Sequence, residues 1–391
     1  MLANRVSKIA ASPTLAMGKT AKEMLAAGED VVNLSQGEPD FQTPANISEA
    51  AIQAINSHQT DFYTATSGLS ELKTAIANRV KADYDVTVAA DQIAVTTGAK
   101  LALFTLMQVL INPGDSVVTP APFWVSYSEQ VKLAGGSMQV VQTEDSDFKI
   151  TIEQLEQLDQ RPKLLILNTP NNPSGAVYTV EELQAIVDWT KAHDVYLLVD
   201  EIYGKLVYGQ TQFHSVLELA DLKNSQVIVI NGVSKAYAMT GWRIGWALAD
   251  SEIIQAMNKI LGHLTSNPTV AAQYAAIEAL NGPQDSVAKM KATFENRLNY
   301  MYTAMLNIPN ISIPFKPEGS FYIFFKVNPD FMKEHGYQNT NEVSMALLKE
   351  QLVAVPSGEG FGMPGYLRLS YAKSEQDLTK AIQRFKSFFT N

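Results

Sequence analysis

From about residue 91 to residue 248 the chain alternates short apolar runs with stretches whose apolar positions recur at helical spacing. The runs are Gln92–Thr97 (QIAVTT), Ser116–Thr119 (SVVT), Leu164–Leu167 (LLIL), Val195–Val199 (VYLLV) and Val227–Ile230 (VIVI). Each is short, continuous and mostly rich in β-branched residues, which predicts a strand covered on both faces. Helical patterns lie between runs, from Gly98 to Ile111 and from Thr179 to His193. The alternation predicts an α/β fold: a mostly parallel sheet sandwiched by helices.

The C-terminal third reads differently. Ser251–Leu280 and Gln284–Leu306 predict long helices, followed by a strand at Ser320–Lys326, a helix near Asn341–Gln351, a strand near Leu367–Ser370 and a last helix over Ser374–Phe389. That mixture predicts a separate, smaller α+β domain. No internal repeat, low-complexity tract or Gly/Ser linker marks a boundary.

Composition narrows the class. With 391 residues, 46% of them hydrophobic, the chain can bury a large core in two or three domains. A charged fraction of 18% excludes a disordered chain or a coiled coil. The net charge of -10 and a pI near 5.1 argue against a nucleic-acid binder, which would show a basic face. There is no cysteine, so neither disulfides nor a zinc-thiolate site is expected, which fits the cytosol. The five histidines have no metal-ligand spacing, and no metal site is expected. No segment has the apolar length of a membrane span or the pattern of a secretory signal. The first 22 residues carry Arg5, Lys8, Lys19 and Lys22 with no acid before Glu23. They fit a transit peptide or an N-terminal arm; the short length and few arginines favour the arm and a cytoplasmic location.

Ligands of open parallel sheets bind beyond the carboxyl ends of the strands. Four polar groups follow four of the runs: Gly98-Ala99-Lys100, Asn168–Gly175 (NTPNNPSG), Asp200–Tyr203 (DEIY) and Asn231–Lys235 (NGVSK). Together they meet the needs of pyridoxal 5'-phosphate (PLP), whose ring draws electrons from a carbanion while the protein anchors and tunes it. Lys235 fits the amine that bonds the cofactor, Asp200 the carboxylate that keeps the ring nitrogen protonated, and Gly98 a helix start that holds phosphate. Taken singly, each has a plainer reading: a surface lysine, a helix cap or surface pair, an ordinary helix N-terminus. Gly98-Ala99-Lys100 is not a Walker A sequence, and Gly358, Gly360 and Gly362 read as a loop, not a dinucleotide site.

With these motifs in order over nearly the whole length, the chain resembles fold-type I PLP enzymes, most closely the class I aspartate aminotransferases of the shorter bacterial subgroup. The segment SKAYAMTGWR (Ser234–Arg243) is the most specific. The resemblance implies that Lys235 is the imine lysine and Arg243 a phosphate-binding arginine. It implies that Asn172 in NNPSG and Tyr203 in DEIY bond the ring oxygen, and that Asp200 partners the ring nitrogen. Gly37 in SQGEPDF is similar to the glycine turn over the site, and Trp124 in PFWVSY to the aromatic that stacks on the ring. Arg368 in YLRLSY is similar to the arginine that forks onto the substrate α-carboxylate. Tyr63 in YTATSG matches a tyrosine that reaches the neighbouring subunit's phosphate, so a homodimer with shared active sites is implied. Lys100 and Thr14 match residues that bind a distal carboxylate.

One position departs from many relatives: Gly232 stands where they carry a hydroxyl, three residues before the lysine, which shifts weight for phosphate to Gly98, Ala99 and Arg243. The resemblance further implies a large PLP-binding domain over residues 46–284 and a small domain made of 1–45, with the N-terminal arm, and 285–391. The implied activity is ping-pong exchange of an amino group between an L-amino acid, aspartate by preference, and a 2-oxo acid, 2-oxoglutarate by preference. An aromatic or diaminopimelate-pathway aminotransferase and a carbon–sulfur β-lyase are the rival enzymes. A PLP-fold regulator would need a basic DNA-binding domain, for which the motifs, beginning by Ser35, leave no room.

Overall fold

The computed structural model describes residues 2–390. Its strands are β1 (Val32–Asn33), β2 (Ile93–Thr97), β3 (Ser116–Ala121), β4 (Ser137–Gln142), β5 (Leu164–Asn168), β6 (Tyr196–Asp200), β7 (Val227–Gly232), β8 (Ile244–Leu248), β9 (Ile311–Ser312), β10 (Tyr322–Val327), β11 (Val353–Ala354) and β12 (Tyr366–Ser370). Seven of them form the main sheet in the order β2-β8-β7-β6-β5-β3-β4. All pairings in it are parallel except those of β8, which runs against both β2 and β7.

Alternate residues of the same strand pack into different cores, as expected when both faces of a sheet are covered. Leu165 and Leu167 of β5 join a cluster with Leu72, Ile76 and Trp246, while Leu164 and Ile166 join one with Leu103, Leu106 and Met257. That arrangement explains the continuous apolar runs: a strand with no wet face has no polar position to alternate.

The second body centres on the antiparallel sheet β12-β10-β9, packed by the helices Asp285–Met305 and Glu375–Thr390. Phe294, Leu298, Phe321, Phe325, Phe385 and Phe389 fill its core. The N-terminal segment belongs to this side, because β1 pairs with β11.

One sequence expectation needs correction. Ser251–Leu280 is two helices, Ser251–Leu264 and Val270–Asn281. Pro268 lies in the gap, where a missing N–H and a restricted preceding residue break helical hydrogen bonding, and Ser266 adopts a left-handed φ of 59°. Strands β4 and β8 of the main sheet escaped prediction, as did the two-residue strands β1, β9 and β11. β4 is a half-exposed edge strand with polar positions, and Gly245 interrupts the run of β8. Among the described residues no helix is long and apolar enough to cross a membrane.

Candidate active site

Strands β5, β6 and β7 run parallel, so Asn168, Asp200 and Gly232 all end on one edge of the sheet. Gly98 follows β2 at that same edge, and antiparallel β8 begins there, immediately after Arg243. Beyond the edge lies a cavity of about 710 Å³. Thr14, Gly37, Ala99, Lys100, Trp124, Asn172, Asp200, Tyr203, Lys235, Arg243 and Arg368 line it. Of the residues singled out in the sequence, Gly98 sits just behind this wall, and Tyr63 lies outside it, 92% exposed. A second cavity of about 790 Å³ adjoins the first, sharing Lys100 and Arg243 but walled largely by Leu101, Phe104, Phe123 and Leu133.

Asp200 is 4% exposed. The Tyr127 hydroxyl donates to its Oδ2 at 2.8 Å and the Ile202 amide to its Oδ1 at 3.3 Å. Burial nevertheless dominates and pushes the carboxyl up to about 6. No cationic side chain lies within 4 Å of it among the described residues. A surface pair or helix cap does not describe such a group; a buried carboxylate short of a cation does.

The Lys235 amine faces the same cavity and donates to the Gly37 carbonyl at 2.6 Å. The residue is half-buried, but protein surrounds its amine, and burial lowers the amine to about 8. Tyr203 and Tyr322 share a hydrogen bond of 2.8 Å between their hydroxyls.

Arg368 is 3% exposed, yet no carboxylate pairs with it among the described residues. Its Nη1 donates to Asn172 Oδ1 at 3.0 Å and its Nη2 to the Ser35 carbonyl at 2.6 Å, and its Nε has no partner. The guanidinium lies 4.5 Å from the centre of the Tyr322 ring. A buried, uncompensated guanidinium held in one plane is a ready receptor for a carboxylate.

At the other end, the helix Ala99–Leu110 starts at Gly98, whose φ is +78° and which has no side chain to cap the helix. The first amides of that helix are therefore free to bind an anion. A Cβ on Gly98 would collide with the Arg243 guanidinium, which is anchored by its Nη1 on the Thr240 carbonyl at 2.8 Å. The Lys100 amine stands 4.8 Å over the Trp124 ring; burial first, and Arg243 second, lower its pKa.

An amine, a buried carboxylate wanting a cation and a helix start beside an arginine thus share one cavity. They fit the aldehyde, ring nitrogen and phosphate of PLP respectively. Sequence reasoning missed Tyr127, Tyr322 and Ser35. Tyr127 stands three residues after Trp124, one turn along; Tyr322 was hidden inside an apolar strand, and Ser35 acts through its carbonyl.

The family model for aminotransferase class I and II matches residues 29–385. An aspartate aminotransferase of Bacillus subtilis is 46% identical over 389 residues, covering 99% of this chain and 98% of that protein. An asparagine–oxo-acid transaminase of Streptococcus mutans is also 46% identical, with the same coverage. Among solved structures, the aspartate aminotransferase from Thermus thermophilus with maleate superposes with a TM-score of 0.92 at 35% identity, covering 99% of each chain. That from Thermotoga maritima gives 0.91 at 36%, covering 100% of each.

Proposed function

This chain belongs to the class I and II aminotransferases and has their fold-type I architecture, and from that premise we propose L-aspartate as its amino donor and 2-oxoglutarate as its acceptor. As a transaminase it moves an amino group between an amino acid and a 2-oxo acid. PLP, when bound, supplies an electron-withdrawing ring that stabilises negative charge on the carbon bearing the amino group.

The chain's own residues divide the remaining work. Lys235 would hold the cofactor through its amine and, with that amine free, would carry the proton from Cα. Its lowered pKa suits a base near neutral pH. Asp200 would hold the ring nitrogen's proton, and Tyr203 and Asn172 would hold the ring oxygen. The first turn of Ala99–Leu110 and Arg243 hold the phosphate. Trp124 and the turn at Gly37, which line the same cavity, would enclose the ring. Arg368 forks onto the α-carboxylate. Phe62 and Tyr63, 81% and 92% exposed, support a homodimer in which Tyr63 completes the partner's phosphate site.

The observation that carries the dicarboxylate reading is a pair of cations, Arg368 and Lys100, lining one cavity without carboxylate partners among the described residues. Arg368 takes the carboxylate that every amino acid has; Lys100, with Thr14, takes a second one. The experiment is the visible spectrum of the PLP-loaded enzyme. L-Aspartate alone should convert the band of the lysine-bound cofactor to that of its amino form, and 2-oxoglutarate should restore it. A band indifferent to aspartate would move the donor to aromatic, diaminopimelate-type or lyase substrates.

A further inference from the structure

The N-terminal helix Pro13–Ala26 turns one stripe toward the cavity, with Thr14, Gly18 and Lys22 spaced four residues apart. Lys22 is exposed and carries a long, adaptable stem. With the Gln36 amide oriented to satisfy both its neighbours, its oxygen accepts from the Lys22 amine at 3.2 Å and its nitrogen donates to Glu38 at 3.3 Å. The chain of contacts continues across the mouth of the cavity. Thr240 Oγ1 donates to Glu38 Oε2 at 3.3 Å, and the Thr240 carbonyl accepts from Arg243.

The cations at this mouth differ in what already occupies them. Lys19 faces Glu23 at 3.7 Å. Lys100 stands over Trp124. Lys22 holds only a neutral amide, and no carboxylate lies within 4 Å of its amine among the described residues. An ionic acceptor binds an ammonium more strongly than an amide oxygen does. A carboxylate arriving where Thr14, Gly18 and Lys22 line the cavity therefore competes with Gln36 for Lys22, whereas a neutral side chain does not.

We propose that Lys22 is a specificity-determining residue: a second cation, on a different element from Lys100, that leaves Gln36 to pair with the distal carboxylate of a dicarboxylic substrate. The proposal rests on the dicarboxylate reading above. It assigns Lys22 no part in binding PLP or in moving the proton, so its loss selects between substrates without disabling the chemistry.

The test uses the PLP-loaded enzyme with Lys22→Gln and Lys22→Arg. Calorimetry measures binding of succinate, an unreactive dicarboxylate, against propionate, its monocarboxylate counterpart. Kinetics measure kcat/KM for L-aspartate against L-asparagine, which differ by one carboxylate. Losing one charge-assisted bond should weaken succinate and aspartate about tenfold in Lys22→Gln and leave propionate and asparagine within about twofold. Lys22→Arg, which keeps the charge, should stay within about threefold of the parent. Equal losses on all four ligands would make Lys22 an anchor of its helix and overturn the proposal, as would no loss on any. If the unaltered enzyme itself fails to favour succinate over propionate, the dicarboxylate reading fails first, and this proposal falls with it.

Discussion

Tyr127 and Asp200 are joined by a buried hydrogen bond of 2.8 Å, the phenol donating to Oδ2 of a carboxylate that ends β6. Burial raises the Asp200 carboxyl to about 6, and the bond from Tyr127 opposes that rise. Ring, bond and carboxylate stand as one unit, since Trp124 packs edge-on against Tyr127 at 5.5 Å. Tyr127→Phe should therefore keep the packing but leave Asp200 easier to protonate. We expect kcat to fall about tenfold, the scale of one lost charge-assisted bond, with the acidic limb of the pH–rate profile moved to higher pH. A fall in kcat with an unmoved acidic limb would reject this coupling.

Gly98 and Arg243 make a second prediction. A side chain on Gly98 would need the space that the Arg243 guanidinium fills, and the residue's φ of +78° disfavours any side chain. Gly98→Ala should displace Arg243 from the first turn of Ala99–Leu110, weakening PLP more than it weakens the fold. A rise in the dissociation constant for PLP of at least about tenfold is expected, as for loss of one Arg–phosphate contact. Equilibrium dialysis of the cofactor checks it; unchanged retention would show that Arg243 is not needed there.

What the sequence made legible follows from the kind of force involved. The five runs ending near Thr97, Thr119, Leu167, Val199 and Ile230 were readable because burial on both faces leaves no regular polar–apolar alternation. The residues gathered at their ends were readable as chemistry that lacked a partner nearby: a lysine, an aspartate, an arginine. Tyr127, Tyr322 and the Ser35 carbonyl were not. Each works by touching another side chain from a distant segment, and that proximity is set by packing, not by local pattern. The break at Pro268 carried a local signal that the strong apolar periodicity around it masked. β8 was obscured by Gly245.

Lys100 offers a third prediction. Its ammonium lies over Trp124 and lines the cavity that contains Arg368, and burial first, with Arg243 second, already depresses its pKa. Lys100→Met keeps much of the stem and removes the charge. The kcat/KM for L-aspartate should fall by about tenfold to a hundredfold, while that for an apolar donor such as L-leucine should change by less than about threefold. Parallel losses would instead assign Lys100 to holding the ring through Trp124.

The last prediction concerns stability and lies behind the site. Glu201, the neighbour of Asp200, points away from the cavity and is fully buried. It accepts from the Val216 amide at 2.9 Å and the Ser215 hydroxyl at 2.8 Å. Burial outweighs those bonds and raises its carboxyl from 4.5 to about 8. Between these values the folded chain keeps a proton that the unfolded chain has released. The unfolded state binds fewer protons there, so the contribution of Glu201 to stability falls as pH rises through that window. The slope cannot exceed about 1.4 kcal/mol per pH unit for one group. Glu201→Gln keeps an oxygen for the Val216 amide and removes the titration; Ser215 can turn its hydroxyl to accept from the new amide. Unfolding midpoints at pH 6 and pH 8 should therefore separate the two proteins. The variant should gain on the parent between the lower pH and the higher, because only the parent must give up a proton or bury a charge. Parallel midpoints would mean that Glu201 is ionised throughout, with its charge met by the hydrogen bonds already in place.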